Sequence, residues 1–317
     1  MATIATRDYD FVAPLALGDV AAEGVELRLL RSFDALRRFS DDPEMEGGEA
    51  SFSQYLRRVA SGDRSLVGLP VFIMREFRHR CFFVRRDSDM AGVADLSGVR
   101  IGTDNWGASG NTWSRALLRA AGVALHGIRW FVGPVNPGEA PADARSLPAG
   151  VSPTPAGRPL GEMLLAGDLD ALMCPWPPHG FDDPHSAMRR LYRDYREVER
   201  EYYRRTGIYP GHHLIVLRRA FFDRHPGAAV PIFRAFVRAR EHSERNHRVL
   251  HETSPWVLAD LEDQTALMGP HFRPYGYRDN RTMVAAFCEE QYAQGLIREP
   301  LNPDVLFADF ESLPGAV

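Results

Sequence analysis

The chain contains no lysine: all 38 of its basic residues are arginine. Schiff-base catalysis, pyridoxal attachment, a Walker-type phosphate loop and a lysine general base are therefore excluded. Cysteine is scarce as well. Cys81, Cys174 and Cys288 lie far apart and form no CxxC, so buried, reduced thiols are expected in place of a disulfide framework or a Cys-based zinc site. HExxH is missing, and the i,i+4 pair His247 and His251 reads as a solvated helix face. A metal would need His79, His213 and a carboxylate such as Glu49 to converge, which spacing does not test; metal-independent chemistry is the expectation. No GxGxxG follows a strand, so no dinucleotide and no other cofactor is expected. With a formal net charge of −4, neither nucleic acid nor an anionic membrane is an expected partner. No apolar run approaches the ~20 residues of a membrane span. Met1–Asp8 lacks the apolar core of a signal segment, which points to a soluble, cytoplasmic chain. Assembly into a homo-oligomer is left open.

What is present is ordinary for a globular α/β protein: 317 residues, 44% apolar and 25% charged. That length suits two lobes of roughly 100–200 residues each. Strand-like runs are expected at Val25–Leu30, Leu66–Ile73, Cys81–Arg85, Arg100–Thr103, Ile128–Val132, Leu169–Cys174 and His213–Arg218. Helical patterns separate them. Asn111–Ala120 places Trp113, Ala116, Leu117 and Ala120 on one face, and Pro226–Arg240 stacks Ile232, Phe233, Phe236 and Val237. Ser254-Pro255 reads as an N-cap followed by proline at the first helical position, with the helix running to Met268. Pro134–Pro159 is rich in Pro, Ala and Gly and reads as a long surface connection with at most a short strand near Val151-Ser152. The C-terminal third is poor in strands and is expected to return and complete the first lobe. The boundaries expected are residues 1–87 plus 214–317 for a discontinuous first lobe, and 88–213 for an inserted second one.

Two phrases resemble those of type 2 periplasmic-binding-protein-like folds. One is Asp95-Leu96-Ser97-Gly98-Val99-Arg100-Ile101-Gly102; the other is the MLxxGxxDA stretch from Met163 to Ala171. The resemblance implies two α/β lobes with a cleft between them. Longer stretches are more specific. Glu49–Tyr55, Pro70–His79, Tyr202–His213 and Leu267–Gly276 together resemble the 4,5-dihydroxyphthalate decarboxylase family, over nearly the whole chain from Tyr9-Asp10 to Phe307. That family implies a non-oxidative lyase, in which a carboxylate leaves an aromatic ring as carbon dioxide and a proton takes its place. The chain departs from the family pattern in two places. Its early YDRTxPL motif reads Tyr9-Asp10-Phe11-Val12-Ala13-Pro14-Leu15 here, and its PEYQMTAxVWxR region reads Asp104–Arg115, keeping Trp113 and Arg115 but placing Asn105 at an acidic position. The substrate implied is a small carboxylated, hydroxylated aromatic, and the two departures, which sit where a cleft ligand would be read, count against phthalate itself. The alternatives are a binding protein for a small anionic ligand, or another lyase or hydrolase on this fold.

Removing a carboxylate from an electron-rich ring without a cofactor has three needs: a grip on the carboxylate, a proton for the ring carbon, and stabilisation of charge on a ring hydroxyl. Arg75 and Arg78 are the candidates for the grip, since a guanidinium holds a carboxylate through two parallel hydrogen bonds. His79 and His213 are the candidate proton donors. His212 and His213 are adjacent on an expected strand, so only one faces a ligand; the family phrase ends in the His that matches His213. Ser51 and Ser53, spaced two apart, would place both hydroxyls on one side of an extended segment. Ser109, Asn111 and Thr112 precede or open a helix whose free N–H groups favour an anion. Asn105 lies in the altered motif, and Trp106 is read as either a stacking platform or core.

Overall fold

The structure is a computed structural model and describes residues 1–140, 147–249 and 254–316. His251 and part of the long connection, residues 141–146, lie outside the described residues. The chain divides into two compact units, Met1–Arg75 with Ile208–Val317, and Glu76–Gly207. In chain order the strands are β1 (Ala2–Thr6), β2 (Leu27–Arg31), β3 (Gly47–Ser51), β4 (Leu66–Arg75), β5 (Phe82–Arg85), β6 (Arg100–Thr103), β7 (Arg129–Val132), β8 (Val151–Pro153), β9 (Ala171–Met173), β10 (Met188–Arg190) and β11 (Gly211–Arg218).

The first unit holds a five-stranded sheet in the order β2-β1-β3-β11-β4. β1 pairs in parallel with β2 and β3, whereas β11 runs antiparallel to both β3 and β4. β4 is a near-continuous apolar run, buried from Val67 to Ile73, which is why it reads clearly in the sequence. It tolerates Pro70 because it lies at the sheet edge, with only β11 as a ladder partner. β3 is the opposite case. Its sequence, Gly47-Gly48-Glu49-Ala50-Ser51, has low strand propensity. It is held by pairing with β1 and β11, and it needs glycine because its neighbours leave no room for side chains. A Cβ on Gly47 would meet the Val216 carbonyl at 2.7 Å, and one on Gly48 would meet the Phe39 ring at 2.5 Å. Ile4, Val67, Leu69, Ile215 and Leu217 pack with Ile232, Phe233 and Phe236 of the helix Ala229–Val249 into one core. That helix outlasts its expected end at Arg240, because its last two turns are polar and give no apolar period to read.

The second unit holds a six-stranded sheet in the order β10-β5-β9-β6-β7-β8. Phe83, Leu160, Met163, Leu164, Leu169 and Leu172 form its core. β5 belongs here: it pairs antiparallel with β9 and β10. The boundary expected after residue 87 therefore falls after Arg75, since pairing partners 90 residues downstream outweigh chain proximity to β4. At the other end, His213 is already inside β11 and so belongs to the first sheet. The helix expected to be capped by Ser254 begins at Val257, with Trp256 in the cap position and no side-chain cap bond. No described helix is long and apolar enough to cross a membrane.

Candidate active site

Because β1, β3 and β4 run in one direction and β11 in the other, the carboxyl ends of the first three meet the amino end of β11. Ligands of open α/β sheets gather at such strand ends. Arg7 follows β1, Ser51 ends β3, Arg75 ends β4 and His213 enters β11. His213 lies opposite Ser51 on one side and Met74 on the other, and the β11–β4 register is irregular on both sides of it. Such irregularities re-aim a side chain out of the regular alternation.

At the centre is Glu49, whose side chain is 0% exposed. Its Oε1 accepts the Tyr9 hydroxyl at 2.8 Å and faces His213 Nδ1 at 2.5 Å, and its Oε2 accepts the Arg7 backbone N–H at 2.9 Å. Burial alone would raise this carboxyl. The bond and charge of His213, the Arg7 N–H and the Tyr9 hydroxyl outweigh it and hold the group below the ordinary glutamate value. Glu49 is therefore an anion that accepts from Nδ1–H, which fixes the imidazole tautomer. His213 Nε2 has no hydrogen-bond partner among the described residues. Burial, and then the Glu49 charge, push the Tyr9 phenol far above its usual value, so Tyr9 stays a donor. His212, by contrast, is buried.

The other expected residues of this unit are committed to the fold. Arg75 donates from Nη1 to the Tyr209 carbonyl at 3.1 Å and from Nη2 to the Pro274 carbonyl at 2.8 Å and to Asn280 Oδ1. A fork spent on carbonyls has little left for a carboxylate. Ser53 is not on an extended segment with Ser51: it lies in the first turn of the helix Phe52–Ala60, fully buried, with its Oγ accepting from Gln291 Nε2 at 2.9 Å.

In the second unit Arg78 is 2% exposed, paired with Glu76 at 2.9 Å and 3.4 Å from Ser114 Oγ. Its guanidinium lies against the first turn of the helix Ser109–Ala120, where a Cβ on Gly110 would come within 2.7 Å of Cζ. An arginine and a helix N-terminus add their positive fields there. Asn111 Nδ2 bridges Asp104 Oδ1 at 2.9 Å and the Asn105 carbonyl at 2.7 Å, and burial raises the Asp104 carboxyl. Asn105 is exposed and shapes the turn by accepting the Gly107 N–H at 3.0 Å. Thr112 bonds back to the Ala108 carbonyl at 3.2 Å, and Ser109 is buried at the helix start. Trp106 packs under the Arg115 guanidinium at 4.0 Å and edge-on to Trp130. His79 is buried against the edges of Tyr192 and Tyr202; burial, then the Arg205 charge, push it down to about 4, so it is neutral near pH 7.

Tyr9 and Glu49 were visible in the sequence inside the family-like phrases but carried no proton-transfer signal of their own, and Arg7 carried none. Among the described residues, no group of three or more His, Cys, Asp or Glu is arranged to hold a metal ion.

No family model matches the chain. The chain is 30% identical, over 96% of its own length and 95% of the relative's, to a 4,5-dihydroxyphthalate decarboxylase of Comamonas testosteroni. Among solved structures, the periplasmic aliphatic sulphonate binding protein SsuA of Escherichia coli superposes with a TM-score of 0.53 at 15% identity, covering 97% of this chain and 98% of that one. The desulfurization enzyme DSZB gives 0.51 at 14% identity, covering 97% and 96%. The fold is thus that of the periplasmic-binding-protein-like proteins, and by its full-length sequence identity the chain belongs to the 4,5-dihydroxyphthalate decarboxylase family.

Proposed function

We propose that the chain is a cofactor-independent decarboxylase of a small hydroxylated aromatic carboxylic acid. The observation that carries the reading is the buried Glu49 carboxylate against His213 Nδ1, which leaves Nε2 as the atom through which a proton passes. With Nδ1–H held by Glu49, Nε2 first takes a proton from water, and the resulting imidazolium delivers it from Nε2 to the ring carbon that bears the carboxylate. The carbon–carbon bond then breaks, carbon dioxide leaves, and the bonding pair restores the aromatic ring. Loss of that proton restores the neutral imidazole, so the net change is one proton in and one carbon dioxide out. Glu49 accepts Nδ1–H throughout and keeps the ring in one orientation, a positioning role. His79, neutral and enclosed, is not assigned to proton delivery. In its own unit, Arg78 beside the Ser109 helix terminus is assigned to attracting an anion.

The test is mass spectrometry of hydroxylated aromatic acids, 4,5-dihydroxyphthalate among them, after incubation with the protein. A mass loss equal to carbon dioxide is expected. His213→Ala should abolish turnover while the acid still binds. Near-full turnover in that variant would remove His213 from the mechanism, and an acid bound but unchanged by the wild type would leave only an anion-capturing protein.

A further inference from the structure

Arg7 is the strand-end arginine whose fork the fold leaves partly unused. Its backbone N–H is hydrogen-bonded to Glu49, and its side chain makes only a long ion pair with the same carboxylate. Nε lies 3.9 Å from Glu49 Oε1 and makes no hydrogen bond, although it is buried. Among the described residues Nη1 donates to the Met74 sulfur at 3.7 Å, and the side chain also interacts with the Tyr9 hydroxyl. A guanidinium has five N–H donors in a planar fork, so Arg7 keeps donors for a ligand. The Glu49 carboxylate offsets only part of the Arg7 charge at 3.9 Å, because its oxygens already accept from His213, Tyr9 and the Arg7 backbone. The neighbouring acid Asp8 is paired with Arg31 at 2.7 Å. The Arg7 side chain is 24% exposed, enough for a ligand to reach it. Beside it, the Phe33 ring is 75% exposed, with the Arg7 guanidinium 5.7 Å from its centroid. A planar cation next to an open aromatic face matches both parts of an aromatic carboxylate.

We propose that Arg7 grips the carboxylate of the aromatic acid while Phe33 carries its ring, within reach of the Glu49–His213 pair. This deepens the decarboxylase reading and rests on it for the ligand class. It also explains how the unit grips an anion when Arg75 is occupied by the Tyr209 and Pro274 carbonyls. A carboxylate held there adds a second anion near Glu49, and the Arg7 charge between them offsets the repulsion.

The experiment is calorimetric titration of the full chain with phthalate, benzoate and 4,5-dihydroxyphthalate, with phthalamide as the neutral control, alongside steady-state kinetics. Arg7→Met keeps the aliphatic stem and the backbone N–H but removes the fork; Arg7→Lys keeps the charge alone. Arg7→Met is expected to weaken carboxylate binding about ten- to hundredfold and to leave phthalamide unaffected. Arg7→Lys should fall between it and the wild type, and Phe33→Ala should weaken aromatic acids more than it weakens acetate, titrated as a ring-free carboxylate. Both Arg7 variants should still fold, with Arg7→Met melting somewhat lower for loss of its long ion pair with Glu49. Unchanged carboxylate affinity in Arg7→Met overturns the proposal, as does failure of the wild type to bind any of these acids. If carboxylates bind through Arg7 but no carbon dioxide is released, the decarboxylase reading fails and the Arg7 site stands. Release of carbon dioxide with an indifferent Arg7→Met gives the reverse.

Discussion

Replacing Glu49 by Gln tests the centre of the site and its effect can be worked from the geometry. The carboxylate accepts three donors through two oxygens, Tyr9 and His213 at Oε1 and the Arg7 N–H at Oε2. An amide offers one acceptor oxygen and an NH2 group. With that oxygen at the Oε1 position, the Arg7 N–H faces a donor; turned over, both Tyr9 and His213 do. At least one buried donor is stranded either way, at a cost of about 1–3 kcal/mol. Relief of the buried charge offsets part of this, so a net loss of about 2 kcal/mol is expected. For a unit of this size that lowers the melting temperature by roughly 4–8 °C. Turnover should fall by about a hundredfold or more, because the imidazole loses the anionic partner that favours its protonated form. The pH dependence supplies an internal control. Glu49 is held below its unfolded value of 4.5, so the unfolded chain binds the proton more readily. Its stabilisation is complete above that value and is lost as the pH falls through the depressed one. Glu49→Gln should lack that acid-side loss. Thermal melts from pH 3 to 7, with turnover at pH 7, check all three effects. Wild-type stability together with wild-type turnover in Glu49→Gln would refute the reasoning.

Buried His79 and half-buried Glu199 of the second unit predict opposing pH effects. His79, pushed down to about 4, contributes stability that is present above 6.5 and lost as the pH falls toward 4, by up to about 3 kcal/mol. Glu199, pushed up to about 7 chiefly by burial, does the reverse: stability falls as the pH rises from 4.5 to 7. In denaturant titrations across pH 4–7.5, His79→Phe should leave only the Glu199 slope and Glu199→Gln only the His79 slope; identical profiles in all three proteins would contradict the assignment. Gly48→Ala drives a methyl into the Phe39 ring and should destabilise by about 1–3 kcal/mol in chemical denaturation, whereas an unchanged midpoint would show that β3 can shift. Gly110→Ala should displace the Arg78 guanidinium from the helix start, read as weaker anion binding with little loss of helix signal.

How much of this was legible in the sequence depended on where apolar side chains carried the information. β4 and β7 are compact apolar runs and stand out. β3 does not: its pairing with β1 and β11 and the crowding that demands glycine at Gly47 and Gly48 are recorded by no local pattern. β5 was recognised as a strand yet expected in the wrong unit, because its ladder partners are Met188–Arg190 and Ala171–Met173. The site divides the same way. His213 was picked out by residue type and phrase. Arg75 looked equally suitable, but its saturation by the Tyr209 and Pro274 carbonyls depends on chain that returns from far downstream. Ser53 was misread as extended because a helix begins immediately after Ser51. Glu49 sits in a phrase that resembles the family, while its role as acceptor for His213 is created by the pairing of β3 with β11.

The most direct measurement is decarboxylation of a hydroxylated aromatic acid in heavy water, followed by mass spectrometry of the product from the wild type and from His213→Ala. The account predicts loss of carbon dioxide with one deuterium on the vacated ring carbon in the wild type, and unreacted acid with the variant. Equal deuterated product from both proteins would contradict the claim that His213 passes the proton.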